Sequence, residues 1–563
     1  MTAVVSKKTV LLALLVIVLV SIAIRYPMVE HERNQTDSYF MHLLSQSIVD
    51  NGYAKWTFHP LSYLGYYPFS YPSGAPFLLA EVSSLTGINM EASILLLDFM
   101  MAIMFALGVF GLARQFLRRP EYVLLATLFA AVGPRFVDTS TWDASARGLF
   151  VVLVTFAAFI SFRAAATGQR NLFFVTGLVV IGCFATHHMA VLLLILALGY
   201  LMAAFLIHFA LRRVLPNKRG TVAASVLLVV LVAGLVLLSV LEYFEPLGFY
   251  ALGEGGFFDI NPPALSIVLN LAVSFTHQVG FVLLFAFLSV PYIFKNFRLR
   301  TETLYLIALP IAFVPLLGNS IYVSMLLSPF IAILGTEWFR RHRESSRRKL
   351  GVSCVLVLLI ASSVALPVWS THRWNSTEYL SGENVLLPDQ VFNDANYMHS
   401  QVTGLPAISN DYVITNPLAA TSGIAFLSSG IQMVLSGDIN YDDIRRNVTW
   451  SGSDFPRNLY VWFEYPSQDI VGQNIFVLMV VGVVFVQSPQ TYYHGATYFS
   501  THPKLVVAVD NLWPTHYIDQ YSINNSNFLV EIQRSTAMNH QEFSSYKNYQ
   551  SEYLTLYLVE LPL

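Results

Sequence analysis

The sequence predicts a polytopic α-helical membrane protein of about eleven transmembrane helices, followed by a C-terminal extracytoplasmic mixed α/β domain. The first observation behind this is compositional. Of 563 residues, 55% are hydrophobic and only 12% charged, with a mean hydropathy of +0.57, whereas a soluble domain carries about 25% charge. The second is that apolar stretches of spanning length recur from residue 9 to residue 368, separated by loops whose basic content alternates. The third is a change of character from Pro367 onward, where Asn, Asp, Ser and Tyr replace the aliphatic runs.

The first apolar run follows Lys7 and Lys8 and ends at Arg25-Tyr26-Pro27. No small-residue cleavage site follows it, so it reads as an uncleaved first helix. The spans are predicted at 9–26, 92–113, 122–137, 148–166, 172–185, 189–210, 221–241, 265–294, 304–317, 321–338 and 352–368. Residues 172–210 are too long for one crossing, and both ends are flanked by basic residues (Arg163 and Arg170 before, Arg212, Arg213, Lys218 and Arg219 after). Two crossings with a reversal at Thr186-His187-His188 satisfy the positive-inside rule. Applied to the whole chain, that rule places the N-terminus in the cytoplasm and residues 367–563 outside the cell membrane. Residues 1–366 then form the membrane domain. Its large first outward loop, 28–91, is dense in Tyr and Pro, as suits a head-group interface. Within it the Tyr71-Pro72-Ser73-Gly74 turn predicts an interfacial helix over 75–85, ended by Thr86-Gly87. In the C-terminal region the runs 412–415, 458–463, 475–486, 517–521, 527–532 and 553–559 are strand-prone.

Composition excludes several functions. There is no basic patch apart from the membrane-flanking charges, so no nucleic-acid partner is expected. Cys183 and Cys354 both fall in apolar spans, which excludes a disulfide framework. The chain has no P-loop, no G-x-G-x-x-G after a strand, no H-E-x-x-H and no G-x-S-x-G. Four glycosylation sequons, at Asn34, Asn375, Asn447 and Asn524, all fall on the predicted outer side.

The candidates for chemistry lie in the outward loops. Asp37 opens the amphipathic segment Asp37-Ser38-Tyr39-Phe40-Met41-His42 and is the leading general base; a helix N-cap is the alternative, and one residue can do both. Asp98 lies seven residues after Glu91 on the same helical face, inside an apolar span. Such a residue is either functional or paired structurally with an Arg. Asp138 and Asp143 share a short loop with Arg135 and Arg147, where local ion pairing is the plain alternative. His42, His187 and His188 are candidate contacts to a phosphate or metal, with interfacial polar caps as the alternative. Adjacent histidines do not share a helix face, which disfavours a metal clip at His187-His188. No D-x-D pair occurs, and Glu30-His31-Glu32 reads equally well as a solvated helix end. The metal question is therefore open, with Mg²⁺ or Mn²⁺ the divalent cations considered.

Together the opening helix, the Asp-x-Tyr-Phe-x-His run from Asp37 to His42 reaching Gly52, the Tyr71–Gly74 turn, the Leu85–Ile88 end and Trp142-Asp143-Ala144-Ser145-Ala146-Arg147-Gly148-Leu149 resemble the GT-C superfamily of integral-membrane glycosyltransferases. The likeness covers the first 200 residues by motif and the later helices by topology. It is distantly similar to oligosaccharyltransferase catalytic subunits and protein mannosyltransferases. The resemblance implies a polyprenyl-phosphate-linked sugar donor, Asp37 as catalytic carboxylate, and Arg147 with His187 and His188 near the donor phosphate. Asp143 and His42 are the further substrate-binding candidates. The W-W-D-Y-G motif of oligosaccharyltransferases is missing, Trp462-Phe463-Glu464-Tyr465 being a poor substitute, and so is their second-loop acidic pair. Transfer of one sugar to a glycan, lipid or protein hydroxyl is thus preferred over transfer to Asn. A polyprenyl-linked glycan flippase without chemistry is the alternative, for which His277-Gln278 and Asn319 are the supporting polar residues.

Overall fold

The computed structural model describes residues 6–27, 29–33, 37–54, 57–58, 66–67, 72–205, 263–295, 301–313, 320–343, 349–375, 389–401, 407–409, 412–423, 504–510, 547–550 and 554–560. Helix α1 (Lys7–Ile24) is capped by Ser6, whose Oγ accepts from Thr9 N. Helix α2 (Asp37–Asn51) follows, and then a two-residue antiparallel ladder of β1 (Thr57–Phe58) with β2 (Tyr66–Tyr67). Helix α3 (Gly74–Thr86) ends at Gly87, which adopts φ +71°; the Thr86-Gly87 stop predicted from sequence is the one observed.

Helix α4 (Met90–Phe116) is started by Asn89, whose Oδ1 accepts from Ala92 N at 2.9 Å. The predicted third span is two helices, α5 (Pro120–Ala131) and α6 (Pro134–Asp138), interrupted at Val132-Gly133 because Pro134 cannot donate to the preceding turn. Helices α7 (Ala146–Thr167) and α8 (Arg170–Thr186) pack antiparallel, joined by Gly168 at φ +67°. A 3-10 turn (His188–Leu192) then leads into α9 (Leu193–Phe205). The predicted span 221–241 lies outside the described residues.

The run 265–294 is not one straight helix. It forms α10 (Pro263–Val279) and α11 (Val282–Lys295), bent by 117° at Gly280, whose φ is +89°. Helices α12 (Thr301–Ala312), α13 (Ser320–Arg343) and α14 (Lys349–Asn375) complete the membrane part. Five described helices are long and apolar enough to cross a membrane, six if the bent pair is one span. Helices α5 and α8 and the segment from His188 to Ala197 are apolar but shorter. The domain boundary suggested at residue 366 falls inside α14, which carries Pro367 in its interior.

Beyond α14, α15 (Asp389–Gln401) and α16 (Tyr412–Ser422) pack together, and α16 rests on α2. Residues 412–415, read as strand-prone, are the first turn of α16. Their β-branched residues are overridden by the helical run through Leu418, Ala419 and Ala420, all buried. Strand β3 (Ala407–Ser409) pairs in parallel with β4 (Lys504–Asp510). Strands β5 (Lys547–Gln550) and β6 (Leu554–Glu560) extend the sheet in the order β3-β4-β6-β5, antiparallel within the last three. The strand-prone run 553–559 corresponds to β6, while 458–463, 475–486, 517–521 and 527–532 lie outside the described residues.

The membrane core gathers around α4. Phe105 and Phe136 meet with ring centroids 3.9 Å apart, and small residues let α7 approach: a Cβ at Gly108 would come within 3.2 Å of Thr155 Cγ2. Arg25, at the end of α1, is fully buried. Its Nε donates to Ser140 Oγ at 2.7 Å, its Nη1 to Ser21 Oγ at 2.7 Å and to the Ala131 carbonyl at 3.3 Å, and its guanidinium lies over the Phe136 ring. At Gly148 a Cβ would stand 2.8 Å from the backbone oxygen of Thr139. Backbone cannot swing aside as a side-chain tip can, so Gly148→Ala is expected to destabilise by about 1–3 kcal/mol. A lower thermal midpoint of the detergent-solubilised protein is the readout; an unchanged midpoint contradicts the close approach.

Candidate active site

The first loop is organised by a carboxylate. Glu32 is fully buried, contrary to the solvated helix end that its sequence context suggests. Ser38 Oγ donates to its Oε2 at 2.8 Å, and His42 Nδ1 bonds its Oε1. Ser38 and His42 stand four residues apart on α2 and so share one face. Glu32 therefore fixes the first turn of α2, the turn that Asp37 opens. The Asp37 side chain lies outside the described residues. The Tyr39 hydroxyl adds a 3.3 Å bond to the Glu32 carbonyl. Burial works against a charged imidazole at His42, but the Glu32 carboxylate, with Glu91 further off, outweighs it and raises the His42 pKa above its ordinary value.

The second loop is fastened to this turn. Arg33 N donates to the Trp142 carbonyl at 2.8 Å, and Ala144 N donates to Ser38 Oγ at 2.7 Å. Trp142 Nε1 reaches the Glu91 carbonyl at 3.0 Å. Among the described residues Trp142 is the single non-glycine with positive φ, +49°, a conformation costing on the order of 1–3 kcal/mol and held by the surrounding bonds. That geometry turns the next amide inward, so Asp143 N donates to Asp98 Oδ2 at 3.0 Å. Asp98 and Asp143 line a narrow cavity with Met41, Leu79, Leu97 and Met101.

Arg33 is buried close to this pair. Burial lowers its pKa, while the charges of Asp138, Asp143 and Asp98 act in the opposite sense. Its Nε and Nη1 find no hydrogen-bond partner among the described residues. Asp138 itself pairs with Arg135 at 2.8 Å across i,i+3, both part-exposed, which is the local ion pair weighed for it from sequence.

A third group gathers at the start of α7 and the end of α8. Extended backbone at His187 (φ −153°, ψ 136°) lets its Nδ1 accept from Met189 N at 3.0 Å and cap the 3-10 turn. The same extension stacks the His187 and His188 rings with centroids 4.4 Å apart, a proximity that helix-face reasoning does not foresee. The Arg147 guanidinium lies 5.8 Å from the Tyr322 ring centroid, and Tyr322 also packs against His187. Burial first, then His188 and Arg147, hold the His187 pKa well below its ordinary value, so the imidazole is neutral at neutral pH and Arg147 supplies the positive charge.

The structure thus brings Arg147, His187 and His188 together and places Asp143 on the Asp98 side of the same loop. It draws His42 into the interior as a partner of Glu32. Glu32, Arg33 and Tyr322 were not singled out from sequence; the Glu30-His31-Glu32-Arg33 run was the signal for the first two, and nothing local marks Tyr322. Among the described residues Glu30, His31 and Asp389 bring possible metal-ligating atoms within 4.8 Å of one another.

No protein-family model matches the sequence, and no curated protein matches it by sequence. Solved structures do match. The oligosaccharyltransferase of Archaeoglobus fulgidus, tethered to an acceptor peptide containing an NVT sequon, superposes with TM-score 0.54 at 10% identity, over 90% of this chain and 69% of that one. The same enzyme in complex with an inhibitory peptide and a dolichol-phosphate gives TM-score 0.52 at 10% identity, with the same coverage. ArnT from Cupriavidus metallidurans aligns over 98% of both chains at 12% identity, with TM-score 0.49. The chain thus shares its fold with the archaeal oligosaccharyltransferase, whose kind is among those that the sequence resemblance names.

The raised His42 pKa has a defined consequence for stability. The protonated imidazole stabilises the fold fully below the unfolded-state value of about 6.5, and this contribution is lost as pH rises through the higher folded-state value. The thermal midpoint of the wild type is expected to fall over that window more steeply than that of His42→Gln. Parallel pH profiles for the two proteins would contradict a charged His42–Glu32 pair.

Proposed function

We propose that this protein is an inverting membrane glycosyltransferase that moves a sugar from a polyprenyl-phosphate donor to an extracytoplasmic hydroxyl of a glycan, lipid or protein. The observation that carries this reading is the fastening of the second loop to the first turn of α2. Through Ala144–Ser38 and Arg33–Trp142, the loop that bears Asp143 and leads into Arg147 at the start of α7 is fixed against the turn that begins at Asp37. The shared fold supports it, since structures of the archaeal oligosaccharyltransferase hold a dolichol-phosphate in one case and a tethered acceptor peptide in another.

In the proposed reaction Asp37 takes the proton of the acceptor hydroxyl as that oxygen attacks the anomeric carbon. The bond from that carbon to the phosphate oxygen breaks, and the polyprenyl phosphate leaves with the electron pair. Arg147 meets the phosphate, with His187 and His188 as neutral hydrogen-bonding neighbours. Asp143 and the Asp98 side of the cavity face the sugar, and His42 acts through Glu32 on the position of Asp37. Residues 1–366 carry the catalysis and residues 367–563 serve acceptor recognition outside the cell membrane, the N-terminus being cytoplasmic. Mg²⁺ or Mn²⁺ is the cation to test for a role in the transfer.

A second reading, a polyprenyl-linked glycan flippase, draws on the bent pair α10–α11, because broken helices mark the binding sites of many transporters. Gln278, beside that bend, donates to Ser274 Oγ at 3.1 Å and accepts from Ser324 Oγ. The second of these bonds joins two helices, which favours a packing role for Gln278.

Incubating the purified protein with polyprenyl-phosphate sugars, with and without EDTA, and detecting released polyprenyl phosphate by mass spectrometry separates the readings. Asp37→Asn is expected to lower release by about 10²–10⁴-fold with unchanged membrane insertion. Arg147→Ala is expected to lower it by about 10²-fold. Wild-type release by Asp37→Asn overturns the base assignment, and donor translocation without release favours the flippase.

A further inference from the structure

On the outer side of the Glu32 cluster, the neighbouring residues of the same short run face a different element. His31 stacks on Phe392 of α15 with ring centroids 3.4 Å apart and planes within 14°. Its Nδ1 bonds Glu91 Oε1, at the start of α4, at 3.2 Å. Glu30, the imidazole of His31 and Asp389, the first residue of α15, offer one ligand atom each, all within 4.8 Å. Glu30 and Asp389 are exposed and His31 is half-buried, so an ion can enter from water.

We propose that Glu30, His31 and Asp389 form a divalent-cation site that pins the first helix after the membrane domain onto the first loop. The donor set, one imidazole and two carboxylates, suits Zn²⁺, with a fourth position left to water. Nε2 of His31 binds the ion, and Nδ1–H is held by Glu91. A metal-bound histidine with its other nitrogen on a carboxylate is the usual outer-shell arrangement, because it fixes the ring and makes the bound nitrogen more basic. Tetrahedral ligands at about 2.1 Å stand about 3.4 Å apart, so ligand atoms within 4.8 Å of one another need to close by at most about 1.4 Å on binding. That closure draws the start of α15 towards His31, whose ring Phe392 already covers. The ion also neutralises the mutual repulsion of Glu30 and Asp389, which come from positions more than 350 residues apart in the chain.

This inference does not depend on glycosyl transfer. The test uses the full-length protein in detergent, stripped with EDTA and desalted, then titrated with ZnCl₂ by calorimetry, and with CoCl₂ to read the visible d–d absorption of a low-coordinate site. One Zn²⁺ per chain is expected, with a rise in thermal midpoint. Asp389→Asn and His31→Gln should each weaken binding at least ~10-fold, and Glu91→Gln about 10-fold through the outer shell. Asp37→Asn, whose residue opens α2, should leave it unchanged. Variants are compared only where they elute as monodisperse protein, and the near-isosteric replacements are chosen to preserve packing. Zn²⁺ binding that is absent, or that is insensitive to Asp389→Asn and His31→Gln, overturns the proposal. So does binding lost with Asp37→Asn alone, which would assign the ion to the start of α2.

Discussion

A carboxylate sealed from water must be answered at both oxygens, because an uncompensated buried charge costs several kcal/mol. Glu32 is answered by Ser38 and His42, and this places one demand on everything around it. The strand of chain leaving α1 has to come back over the start of α2, and α2 has to present its first and second turns inward. Ser38 is used twice, donating to Glu32 and accepting from Ala144, so the second loop follows from the same constraint. Cooperative hydrogen-bond chains of this kind hold better than their separate members. Glu32→Ala would release the two loops together rather than remove one contact.

The helical framework was legible in the sequence because its signals are local and strong. Spans of aliphatic residues and the Thr86-Gly87 stop after α3 mark what the structure has at those positions. The breaks were less legible. Residues 122–137 and 265–294 are apolar throughout, and their interruptions come from Pro134 and from the positive φ of Gly280, which hydropathy averages away. Residues 412–415 read as a strand for the opposite reason: four residues carry a β preference, but burial of the following turn against its neighbours decides the helix.

The site divides in the same way. Arg147, His187 and His188 were reachable from sequence as polar residues at span ends, and the structure gathers them. Their partner Tyr322 was not, because it belongs to a helix more than 130 residues on from the histidines and its ring has no local sign of use. Glu32 was left open because two acids around a histidine read equally well as a solvated helix end. Only the fold reveals that Glu30 is exposed while Glu32, two residues on, is buried. Trp142 belongs to the same class: an aromatic at positive φ cannot be foreseen, yet it is what turns the Asp143 amide towards Asp98.

Arg25 bears on how the molecule is put together. Its partners beyond its own helix are Ser140 and the carbonyl of Ala131, so more than a hundred residues must be synthesised after it before its charge can be satisfied. The carbonyl at Ala131 is available because α5 stops there rather than running on. Helix α1 is therefore seated only once α5 and α6 have been made. Until then it waits with a guanidinium at the membrane edge, where water and lipid phosphate can serve it. Assembly of this amino-terminal half is non-local from its first step, and lengthening α5 through Val132 and Gly133 would delay it by removing the acceptor that the waiting charge needs.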